Sequence, residues 1–172
     1  PESEKALRLK ACAAIGISDY NTVLEVFGKY RSLFPDDYTM ALSAAEILLH
    51  RKHYDEAFEV LAHSNRNCPN ENPDKIRIVT DIALCFSARH EMKKAFDILM
   101  TTRSLGVSYA DVVFHAATQA FDFHDNVYAE KILLDLFSKE TPSPEQRLNV
   151  SRMLCERNLF GCVPLIWNYL LS

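Results

Sequence analysis

Glycine is scarce in this chain: four in 172 residues (Gly16, Gly28, Gly106 and Gly161), against a usual share of about 7%. Strand-rich folds need many glycine-bearing turns, and phosphate-cradling loops need clustered glycines. Four scattered ones argue against both. A basic surplus is also missing. The net charge is −4, and it is evenly spread: residues 1–73 hold 8 basic and 11 acidic side chains, residues 74–172 hold 11 and 12. Nucleic-acid binders draw most of their affinity from neutralising phosphates, so this balance disfavours RNA or DNA as the main partner. The five cysteines (Cys12, Cys68, Cys85, Cys155 and Cys162) are odd in number, widely spaced and without a CxxC pair. That is unlike a secreted disulfide framework and points to a reducing, intracellular compartment. No apolar run approaches the ~20 residues of a membrane span; the longest, Met40 to Leu49, is interrupted by Glu46.

Catalytic signatures are absent as well. There is no HExxH, P-loop, GxSxG or GxGxxG, the patterns that carry metal, phosphate or nucleophile chemistry. His50 and His53 are three apart, but Arg51 and Lys52 between them would repel a cation. His115, beside Phe114, is expected to serve in helix packing. Asp36-Asp37 and Asp55-Glu56 fall at helix starts, where capping and the helix dipole favour carboxylates. No catalytic residue, metal or cofactor is expected, and the chain is read as non-enzymatic.

What is present is helical periodicity from end to end. Ten helices are expected, near 3–17, 20–34, 38–52, 55–67, 74–89, 91–105, 109–123, 126–140, 144–159 and 162–171. Ser18-Asp19, Pro35-Asp36-Asp37, Pro69–Pro73, Gly106 and Pro142-Ser143-Pro144 punctuate them. The odd-numbered helices start near 4, 38, 74, 109 and 144, in steps of 34 to 36 residues. A helical hairpin repeating at that period cannot cover its own apolar face, so neighbouring hairpins stack and share a core.

Small residues recur at fixed places. The odd helices carry Ala11, Ala45, Ala83, Ala117 and Ser151; the even helices carry Val23, Ala57, Ala95, Ala129 and Val163. Four extra residues around Asn70–Pro73 shift the register between the second and third units. The second unit, with Ala41, Ala44, Ala45, Leu48, Tyr54-Asp55-Glu56-Ala57, Leu61 and Pro69, resembles the tetratricopeptide repeat family over nearly the whole chain. Ala95-Phe96-Asp97-Ile98-Leu99, Gly106-Val107 and Phe114 are similar to the pentatricopeptide family. The resemblance implies an all-α, right-handed α-solenoid of about five repeats: 4–37, 38–73, 74–108, 109–143 and 144–172. The chain starts without an initiator Met, and its last helix (Val163 to Leu171) is apolar rather than a polar cap. A single array that is a segment of a longer protein is therefore expected.

The two resemblances imply different partners. Pentatricopeptide arrays read single-stranded RNA one base per repeat, often in mitochondria. The code pairs here would be Arg8 with Tyr38, Leu42 with Asn72, Thr80 with Ala110, and Phe114 with Pro144. None is a code pair of that family. Tetratricopeptide arrays bind protein segments along the concave face of the first helices. Positions of that face map to an apolar set with two polar members: Leu42, Leu49, Leu84, Phe114, Thr118, Phe121, Leu148 and Arg152. The expectation is a scaffold in a multi-subunit assembly, capturing a partner segment on this face. The implied alternative is an organellar RNA-binding protein.

Overall fold

The computed structural model describes residues 3–139, 141 and 143–158; the expected last helix at 162–171 lies outside them. Among the described residues every regular element is helical. In chain order these are α1 (Glu4–Gly16), α2 (Tyr20–Leu33), α3 (Tyr38–His50), α4 (Tyr54–Asn67), α5 (Asp74–Ala88), α6 (Met92–Met100), α7 (Tyr109–Asp122), α8 (Asn126–Lys139) and α9 (Pro144–Glu156). The chain divides into two compact units, residues 1–85 and 86–172.

The helix starts are written in the sequence. Ser3, Asp19, Asp37 and Ser108 each accept a hydrogen bond from a backbone N–H of the first turn, which satisfies a donor that has no partner inside the helix. At α9, Ser143 and Gln146 form a reciprocal capping box, and Pro144 occupies the first turn where its missing N–H costs nothing. Asp55 and Glu56 stand in the first turn of α4.

Every hairpin turns the same way. The residue with left-handed backbone is Ser18, Lys52, His90, His124 and Asn158 in turn, with φ between 53° and 63°. These positions are spaced 34, 38, 34 and 34 residues apart, the same intervals that separate Ala11, Ala45, Ala83, Ala117 and Ser151. At the first four, the next N–H reaches back to the helix that is ending: Asp19 to Ala14, His53 to Leu48, Glu91 to Phe86 and Asp125 to Ala120, at 2.8 to 3.0 Å. The turn thus closes one helix and delivers the first residue of the next.

The small residues hold the hairpins together. Ala11, Ala45, Ala83 and Ala117 are at most 1% exposed, and Ala57 and Ala129 are fully buried. A second set of links joins side chains about one period apart. Asn67 Nδ2 donates to Pro35 O (2.8 Å), Arg51 to Ser18 O (3.3 Å) and Asn72 Nδ2 to the Tyr38 hydroxyl (2.5 Å). In the second unit, Ser87 Oγ donates to Gln119 Oε1 (3.1 Å) and Arg157 Nε to Asp122 Oδ1 (2.9 Å). The second unit's core gathers Val113, Ala117, Ala120, Phe121, Leu133, Leu136, Val150 and Leu154.

One expectation is corrected. The helix expected over 91–105 ends at Met100 and tightens into a 3₁₀ turn, Thr101–Leu105. Thr101, Thr102 and Ser104 bond their hydroxyls back to carbonyls three residues earlier, each at 2.7 Å, which favours a tighter turn. Gly106, at φ 93°, ends it. The four-residue insertion is an ordered turn. Asn72 Oδ1 accepts from Asp74 N (2.9 Å), and the Lys75 ammonium binds the carbonyls of Asn65 and Cys68 at the end of α4.

Candidate partner-binding surface

The eight expected contact residues separate by burial. Leu42 and Phe121 are 6% and 4% exposed and belong to the packed interior. Each is an apolar side chain beside a helical neighbour, and it lies into that seam rather than facing water. Leu49, Leu84, Phe114 and Thr118 are half-buried, while Leu148 and Arg152 are exposed. The exposed faces of the odd helices instead run through the position following the expected one: Leu9, Ser43, Asp81, His115 and Asn149 are exposed or half-buried. Apart from Leu9 this row is polar, and it runs beside Leu84, Phe114 and Leu148, which keep part of the expected apolar set accessible.

Six of the eight positions that would read RNA are engaged within the protein, while Phe114 is half-buried and Pro144 exposed. Arg8 forms an ion pair with Asp37 and donates to Thr39 Oγ1 at 3.2 Å. Its guanidinium lies 5.2 Å from the ring centre of Tyr30. Tyr38 accepts from Asn72, Thr80 Oγ1 donates to Ile76 O (2.9 Å), and Leu42 and Ala110 are buried.

In the first unit, Glu46 and Arg77 form an ion pair, and Asp81 stands half-buried one turn beyond Arg77. Burial raises the Asp81 pKa to about 6; Arg77 opposes the rise and Glu46 adds to it. Asp37 behaves differently. Burial would raise its pKa, but hydrogen bonds from Thr39 and Tyr30 and the charge of Arg8 hold it below its usual value. Cys68 and Cys85 are buried, whereas Cys12 and Cys155 are exposed. Among the described residues no three His, Cys, Asp or Glu side chains cluster as a metal site would need. No described helix is long and apolar enough to cross a membrane.

A hollow in the second unit lies between α7 and α9. It has a volume of about 250 Å³ and is lined by Asp111, Phe114, His115 and Thr118 from α7 and by Asn149, Val150 and Met153 from α9. The four α7 residues follow i, i+3, i+4, i+7 spacing, so they form one ridge. Phe114 packs partly on the core, and Thr118 Oγ1 donates to Met153 Sδ (3.1 Å). A second hollow of about 340 Å³ shares Phe114, His115 and Thr118 and adds Gln119. The structure thus brings Phe114 and Thr118 together, with Leu148 and Arg152 beside the hollow on α9 rather than in it. Asp111, His115 and Asn149 were not among the expected contacts. His115, expected in packing, is exposed at the rim. Their signal was the helical spacing from Phe114 and Leu148, hidden by the search for apolar residues.

Capped helical hairpins, repeated at a fixed period and packed through small residues, define an all-α helical-repeat fold of the tetratricopeptide type. The solved structure described as the MamA RS-1 ArsTM double mutant, a protein of that type, is similar in fold: its TM-score is 0.55 at 19% identity, over 74% of this chain and 70% of that chain. No family model matches the chain, and no curated protein matches it.

Proposed function

We propose that this chain is a non-catalytic binding array that docks a segment of a partner protein within a larger assembly. The segment lies against the exposed faces of α7 and α9, and the hollow between them is its principal anchor. The observation that carries this reading is the hollow itself, where a mixed aromatic and polar ridge meets a neighbouring helix and leaves space unfilled. Recognition is by polar groups around an aromatic floor, in place of a continuous apolar stripe. An RNA role has less support: six of the eight code positions are engaged internally, and the chain carries net negative charge.

The test is co-purification with three forms of the chain: unmodified, Thr118→Arg in the hollow, and Val127→Arg on α8, where Val127 is 80% exposed. Partner protein is expected with the unmodified chain and Val127→Arg, and at least tenfold less with Thr118→Arg. Recovery of RNA in place of protein, strengthened by the added cation of Thr118→Arg, would contradict the reading.

A further inference from the structure

The atoms lining the α7–α9 hollow are strongly one-sided in hydrogen-bond character. His115 Nδ1 lies 3.0 Å from the Asp111 carbonyl oxygen. A carbonyl only accepts, so Nδ1 is the donor of this contact, and the neutral tautomer that makes it presents Nε2 as an acceptor. Thr118 has already given its hydroxyl proton to Met153 Sδ, so its oxygen can only accept. Asp111 is the one formal charge in the lining, and one of its carboxylate oxygens, Oδ2, takes the Ser108 hydroxyl at 2.7 Å. The other oxygen is an acceptor for whatever enters. The Phe114 ring packs on the core and also lines the hollow.

We infer that this hollow holds the cationic head of one arginine or lysine side chain from an extended protein segment, an inference that rests on the binding-array reading above. The three α7 acceptors, set against the single Asn149 amide at the rim, call for a ligand that donates. Guanidinium and ammonium groups are the two protein side-chain heads that donate and never accept. The negative charge of Asp111 complements theirs, and an aromatic face attracts a cation that is partly desolvated. The volume, about 250 Å³, is below that of a drug-sized site and suits a single long side chain. The amide of Asn149, exposed at the rim, both donates and accepts and can bond the main chain of the segment.

The experiment is an NMR titration of the full 172-residue chain with capped pentapeptides that hold one central residue between Gly-Ser flanks. The central residue is arginine, lysine, citrulline, norleucine or glutamate. The arginine and lysine peptides are expected to shift the amide signals of Asp111, Thr118 and Asn149, and to bind at least tenfold more tightly than citrulline or norleucine. Asp111→Asn should weaken arginine binding at least fivefold and leave norleucine unchanged. Because Asp111 also takes part in the cap of α7, Thr118→Arg serves as a second variant; it places a cation in the hollow, leaves the cap intact and should abolish arginine binding. If norleucine or glutamate binds as well as arginine at the same signals, the cationic occupant is wrong and the binding-array reading stands. If no peptide shifts those signals at millimolar concentration, both fail.

Discussion

Glycine and left-handed backbone are mismatched in this chain. Gly16 and Gly28 sit in helices with open space where a Cβ would go, yet five residues with side chains hold φ near +60° at the hairpin turns. Glycine in a helix costs about 0.5–1 kcal/mol relative to alanine. A side-chain-bearing residue in the left-handed region costs about 1 kcal/mol or more. Gly28→Ala and Lys52→Gly should therefore each raise the unfolding free energy by about 0.5–1 kcal/mol, read by urea denaturation. Asp81 offers a second test. Its folded pKa, about 6, is above the ordinary carboxyl value of 3.8. The folded chain then binds the proton more tightly than the unfolded one, so stability falls as pH rises through that window. With allowance for its partial exposure, the ionised group costs about 2 kcal/mol above pH 6. Asp81→Asn should stabilise the protein by about that amount at pH 7.5 and by almost nothing at pH 3.5.

At the scale of the helix, the sequence revealed ends and seams better than faces. Caps such as Ser143 with Gln146 are local chemistry and can be read directly. The seams were legible because close backbone approach tolerates only small side chains, and Ala45, Ala83 and Ala117 are buried as that rule requires. The outward face was harder. One residue turns a helix by about 100°, so Phe114 packs partly on the core while the adjacent His115 is exposed at the rim of the same hollow. Leu42 and Phe121 were drawn inward by their own hydrophobicity, which no consensus position controls. The 3₁₀ turn after α6 was missed because it depends on where three hydroxyls point. The seams make a sharp prediction: Ala117→Leu adds three carbons where no space exists, and overpacking costs about 1–3 kcal/mol. Calorimetry should show that loss, whereas the same change at the half-exposed Thr118 should cost less than about 1 kcal/mol.

Across the whole molecule, one interval organises the structure. The buried alanines and the left-handed turns both step by 34, 38, 34 and 34 residues. The single longer step falls where Asn72 and Lys75 fasten the inserted turn. The period was therefore readable from sequence, because each hairpin solves the same packing problem. The proposed binding site was not, because it departs from the repeat: His115 and Asn149 have no common residue type with Leu9, Ser43 or Asp81 at the matching places. The central claim is that a partner segment lies against α7 and α9. It is tested most directly by a photo-reactive amino acid placed at Asn149, with Val127 as the control position. The account predicts a protein crosslink from position 149 that maps to a short segment of the partner, and none from position 127. Equal crosslinking from both positions, or crosslinking from position 149 to RNA alone, would contradict it.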